Sequence, residues 1–131
     1  MTEKLTINQQ TVLDLLEGSK EPIKAYTILF NIQKKGIKSP LQVYRALDKL
    51  IEIGKVHKIE SKNSYIACSN NNCTSKTSTS FLICEICDNV TEIKKNNLSA
   101  YFSKQSEKSN FKYIKHNLEI YGACRTCKNK I

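Results

Sequence analysis

No run of apolar residues in this chain approaches bilayer-spanning length, and the opening MTEKLTINQQ carries no apolar signal core. Neither an exported precursor nor a membrane protein is expected; the expected setting is the cytoplasm, with no membrane partner. Acidic residues are scarce beside basic ones, 12 Asp and Glu against 21 Lys and Arg, a formal charge of +9. That balance fits a polyanionic partner, and it also fits a merely lysine-rich soluble protein. Histidine is rare, with only two copies, and neither stands in a His-x-Glu pair. No proline precedes a Cys-x-x-Cys, so the signature of a zinc deaminase is missing. No enzyme, and no small-molecule substrate, is expected.

What the chain does have is six cysteines, four of them in two knuckles, Cys84-x-x-Cys87 and Cys124-x-x-Cys127. A two-residue spacer folds back so that both sulfurs aim at one point, and two such knuckles can wrap one Zn²⁺ tetrahedrally. A reducing cytoplasm favours metal over disulfides. Four thiolates leave no open coordination position, so this zinc is expected to be structural. At 131 residues the chain makes one ordinary domain or two small ones, and small ones need help from metal or dimerisation.

Hydrophobic spacing predicts a helix over 5–17, with Thr6 and Gln9 as a capping box and Gly18-Ser19 as its stop. A second helix is predicted from Pro22 at its first position to Gly36. The third has Ser39 as N-cap, Pro40 at N1 and Gln42 completing a second capping box. Its apolar stripe is Val43, Leu47, Leu50 and Ile51, with Tyr44, Arg45, Asp48 and Lys49 largely off it, and Gly54 ends it. The period then drops to two through Val56, Ile59 and Tyr65–Ala67, around the turn Ser61–Ser64. Three helices followed by a β-hairpin is the order of a winged helix-turn-helix. The polar stretch SNNNCTSKTSTS, 69–80, reads as a linker. Beyond it come strands at Phe81–Ile83 and Val90–Ile93, a helix from Asn97 to Lys108, and a last strand from Phe111 through Ile120.

The stretch SPLQVYRALD, 39–48, continuing to GKVHKIES, 54–61, resembles the ferric uptake regulator family of metal-responsive bacterial repressors. The resemblance runs from Leu5-Thr6 and Ala25-Tyr26 through FLICEIC, 81–87, to GACRTC, 122–127. The sequence VHKIES followed by Tyr65-Ile-Ala-Cys68 resembles the zinc uptake regulator branch. Ferric and peroxide sensors usually carry His-x-His where this chain has Ser78, Thr79 and Ser80.

The resemblance implies an α+β homodimer. Residues 1–70 would form a winged-helix DNA-binding domain, 71–80 a hinge loop, and 81–131 an αβ dimerisation domain carrying the four-cysteine structural zinc. A helix entering the major groove presents its early turns to base edges, here Gln42, Tyr44 and Arg45. The family match points to the same Tyr44-Arg45 pair and adds Tyr26. The family's first helix often holds arginine where this chain has Gln9, which removes one phosphate contact.

The resemblance further implies a regulatory zinc on His57, Cys68 and Glu92. The family's fourth ligand is a hinge histidine, but no histidine lies between His57 and His116. Cys73 in the hinge is the candidate replacement; a water in that position, or loss of sensing, are the alternatives. His116 matches a metal-binding position of some relatives, but its companion position near Gly122 holds Tyr121, so no further metal site is expected there. The implied function is a zinc-responsive repressor of zinc uptake genes on a palindromic A/T-rich operator. The alternative is a relative answering to another metal or to thiol oxidation, or a constitutive DNA binder.

Overall fold

A computed structural model describes residues 4–19, 21–68, 78–93 and 97–130. The chain divides into two compact units, Met1–Ser75 and Lys76–Ile131. Among the described residues no helix is long and apolar enough to cross a membrane.

The first unit opens with α1 (Ile7–Glu17), whose start follows the capping logic of its sequence. The Gln9 backbone N–H donates to Thr6 Oγ1 at 3.1 Å, and the Thr6 N–H donates to Gln9 Oε1 at 3.0 Å. Helix α2 (Ala25–Gln33) begins later than its proline suggests. Pro22 is outside it, and the intervening β1 (Ile23–Lys24) pairs antiparallel with Tyr65 and Ser64. The extended backbone at Lys24, needed for that pairing, postpones the first helical turn.

Helix α3 (Pro40–Glu52) begins at Pro40 as expected, but the Ser39 hydroxyl makes no cap, so the second capping box does not form. The N–H groups of Gln42 and Val43 donate instead to the Ser39 carbonyl, at 3.1 and 3.3 Å. Pro40 fixes φ and has no N–H to satisfy, which sets the start without a side-chain cap. The end of α3 is a Schellman motif. Lys55 N–H donates to the Leu50 carbonyl at 2.8 Å and Gly54 N–H to that of Ile51 at 3.0 Å. Gly54 takes φ +81°, which a residue with a Cβ adopts at a cost.

Strands β2 (Val56–Ile59) and β3 (Ser64–Ala67) complete a three-stranded sheet in the order β1-β3-β2. Their turn is a 3₁₀ segment, Glu60–Lys62, closed by left-handed Asn63. Val43, Ala46, Leu47 and Leu50 of α3 bury into one cluster with Val12 and Leu16 of α1, Ile28 and Ile32 of α2, and Val56 and Tyr65 of the sheet. Burying each large aliphatic side chain contributes about 1.5–3 kcal/mol.

The second unit is built on β4 (Thr79–Cys84), β5 (Val90–Glu92) and β6 (Asn117–Gly122), in the order β5-β4-β6. β4 starts two residues inside the stretch expected to be loop. It runs antiparallel to β5 and parallel to β6. A parallel pair needs a long crossover, and α4 (Leu98–Glu107) lies within it. Phe81, Ile83 and Val90 point inward and are buried. The last strand is shorter than expected, because residues 111–116 are committed elsewhere. Phe111 N–H closes the end of α4 on the Ser106 carbonyl, past left-handed Asn110, and His116 N–H donates to the Ser78 hydroxyl.

Candidate metal centre and nucleic-acid interface

The parallel pairing of β4 and β6 explains how knuckles so far apart in sequence meet. Cys84 ends β4 opposite Gly122, the end of β6, so both strands deliver their knuckles to one end of the sheet. The first knuckle is the β4–β5 connection itself, closed by Cys84 N–H to the Asn89 carbonyl at 2.9 Å, with Asp88 at φ +63°. The second is a turn in which Cys127 N–H and Lys128 N–H both donate to the Cys124 carbonyl. Glu85 N–H binds the Gly122 carbonyl at 2.8 Å and ties the two knuckles together.

The sulfurs of Cys84, Cys87, Cys124 and Cys127 all lie within 4.8 Å of one another. Cys87 Sγ and Cys124 Sγ are 3.7 Å apart. A tetrahedron with Zn–S bonds of about 2.3 Å has edges of about 3.8 Å, so the set is sized for Zn²⁺. Backbone N–H groups are already aimed at one thiolate: those of Cys87 and Cys124 donate to Cys84 Sγ at 3.5 and 3.3 Å. They hold the Cys84 thiol down to about 6. Burial, then the neighbouring thiols of Cys124, Cys84 and Cys87, push Cys127 up to about 12. Without a cation the four therefore cannot all ionise. A dication makes all four thiolates favourable, and binding it releases protons.

The winged-helix unit leaves the expected DNA-contacting side chains in solvent. Gln42, Tyr44 and Arg45 are exposed on the first turns of α3, while Val43 between them and Ala46 and Leu47 after them are buried. Tyr26, at the start of α2, is 70% exposed. The remaining ligand candidates fall in three places. His57 pairs with Ile66 across the β2–β3 hairpin, and Cys68 follows β3 with its N–H on the Lys55 carbonyl at 2.8 Å. Two residues beyond Ile66, Cys68 shares its face of the hairpin, and the ligand atoms of His57 and Cys68 lie within 4.8 Å. Glu92 ends β5 in the second unit. Cys73 lies outside the described residues.

His116 has different company from that expected. Its Nδ1 is 2.6 Å from the Tyr113 hydroxyl and its Nε2 is 3.4 Å from Ser80 Oγ, with the Phe102 ring edge-on at 5.0 Å. Tyr121, the expected companion, donates to Glu119. Tyr113 is three residues from His116, a signal present in the sequence. The part played by Ser78 and Ser80 is set by the strand pairing and has no local signal.

The ferric uptake regulator family pattern matches residues 2–121. The chain is 35% identical over 126 residues to the zinc uptake regulation protein of Escherichia coli (strain K12), covering 95% of this chain and 72% of that protein. It is similar to the crystal structure of holo XcZur, with a TM-score of 0.88 and 32% identity over 98% of this chain and 89% of that one. It is also similar to a zinc uptake regulator complexed with zinc and DNA, with a TM-score of 0.87 and 30% identity over 97% of this chain and 85% of that one. With its winged helix, its facing thiolate knuckles and a match across nearly its whole length, the chain belongs to the ferric uptake regulator family.

Proposed function

We propose that this protein is a zinc-responsive, DNA-binding transcriptional repressor of zinc uptake genes, acting as a dimer on a palindromic operator. The observation that carries the reading is a combination found in one chain of this family: an exposed Tyr44–Arg45 edge on a helix of a winged fold, and a thiolate set sized for zinc. A relative of this architecture bound with zinc and DNA supports it.

Arg45 donates two hydrogen bonds to a guanine edge, Tyr44 meets a thymine methyl or a phosphate, and Gln42 and Tyr26 flank them. The zinc of the four-thiolate set holds the second unit folded. A second zinc, on His57, Cys68 and Glu92 with Cys73 or water in the fourth position, is the regulatory one; mixed nitrogen, sulfur and oxygen donors suit Zn²⁺. The first two donors belong to the wing hairpin, so this ion acts on the DNA-reading unit directly. A tenfold gain in operator affinity needs about 1.4 kcal/mol of zinc preference for the DNA-competent state.

The second unit leaves Leu82, Tyr101, Phe111, Ile114, Ile120 and Tyr121 exposed, more large apolar side chains than a solitary unit of this size usually shows to water. A second copy of the chain is the proposed cover, and it would supply the two-fold symmetry a palindrome requires.

The test is anisotropy of a labelled A/T-rich palindrome with zinc-loaded protein. Wild type binds more tightly with zinc than after mild chelation, and His57→Ala or Cys68→Ser abolishes that gain while keeping the structural zinc. Variants that respond to zinc as wild type does would refute the assignment.

A further inference from the structure

Lys58 is held from two sides, by a ring face and by a carboxylate. It pairs directly with Tyr65 across the β2–β3 hairpin, and its Nζ sits 5.9 Å above the centre of the Tyr65 ring. The Glu60 carboxylate holds it from the other side at 3.5 Å, and only 34% of the lysine side chain is exposed. Directly paired residues project to one face of a sheet, and Val56, two residues before Lys58, lies in the core on that face. Lys58 is thus at the rim of the face that packs on α3.

Tyr65 links the two sides of that rim. Tyr65 is 4% exposed and packs in the same cluster as Val43, Leu47 and Leu50 of α3. Burial raises the pKa of its hydroxyl, which Lys58 pulls down and Tyr44, Asp48 and Glu60 push up. The phenol is therefore within electrostatic reach of the wing on one side and of the reading helix on the other, and it stays neutral.

We propose that Lys58 is a DNA-backbone contact of the wing, and that Tyr65 is the positioning residue that presents it beside Tyr44 and Arg45. A duplex laid against the exposed side of α3 brings a phosphate strand to the adjoining wing. There the ammonium exchanges Glu60 for phosphate. Exposed lysine–carboxylate pairs are weak, so the exchange costs little. A lysine already fixed by a ring face and a carboxylate loses less freedom on binding than a free one.

The proposal rests on the DNA-binding reading above, and its test separates the two. Affinity for one duplex is measured with zinc-loaded full-length protein across a range of KCl concentrations. Lys58→Gln lowers the slope of log affinity against log salt by about 0.9 per half-site, the loss of one phosphate contact, while Lys58→Arg keeps the wild-type slope. Glu60→Gln raises affinity roughly two- to fivefold at low salt, the size of a weak exposed pair. Tyr65→Phe retains the slope. Tyr65→Leu shows the slope of Lys58→Gln, and combining the two lowers it no further. A wild-type slope in Lys58→Gln overturns the contact, and weaker binding at unchanged slope in Tyr65→Leu overturns the positioning role. Should Tyr65→Leu fail to melt cooperatively, the three surface variants decide the contact, and Tyr65→Phe with a lowered slope would contradict the ring-face role. Failure of wild type to bind duplex at any salt would instead be the failure of the regulator reading.

Discussion

At the scale of single residues the chemistry is concentrated in sulfur. Cys84 ionises easily because two backbone N–H groups point at it, and Cys127 resists because it is buried among other thiols. One dication resolves that opposition, so removing any one sulfur weakens the whole set. Cys127→Ser is expected to lower the zinc count by one per chain and to abolish the cooperative melt of the second unit. The helical signal of the first unit should persist; elemental analysis and circular dichroism check both. His116 gives a second test at this scale. Burial lowers its pKa below the ordinary 6.5, so the unfolded chain binds the proton more readily. Stability from this source is complete above pH 6.5 and falls as pH drops through the lower folded value. His116→Gln should flatten the pH dependence of the melting temperature over that acidic range.

At the scale of elements, α3 gives the first unit's core more buried residues than any other element described. Leu47 is fully buried in its apolar stripe, and Leu47→Ala is expected to cost about 2–5 kcal/mol in urea unfolding. Thr6→Ala removes one half of a reciprocal cap and should cost about 0.5–2 kcal/mol. These features were legible because they are local: a cap and its partner three residues on, a stripe at helical spacing, a glycine where the backbone turns left-handed. Two of the departures have the opposite cause. Pro22 looks like a helix start, but Ile23 and Lys24 are taken by pairing with Tyr65 and Ser64, some forty residues away. Phe111 to His116 have strand-like alternation, but the Phe111 N–H goes to the end of α4 and the His116 N–H to the Ser78 hydroxyl. The four-thiolate set was readable from two short spacings. The seat of Lys58 over Tyr65 was not, because only hairpin register brings those two together.

At the scale of the whole molecule, the regulator reading makes two metals do different work. The first is a matter of folding: two knuckles delivered by parallel strands close on an ion with no vacant position. The second would be a matter of switching, with Cys73 or water standing where the family's hinge histidine is expected. The distinguishing quantity is therefore operator affinity as a function of zinc per chain. Zinc is titrated into chelator-treated protein while bound metal and anisotropy of an A/T-rich palindrome are recorded together. Affinity is predicted to stay low up to one zinc per chain and to rise at least tenfold, about 1.4 kcal/mol, as the second is taken up. Full affinity at one zinc per chain, unchanged by the second, would contradict the account.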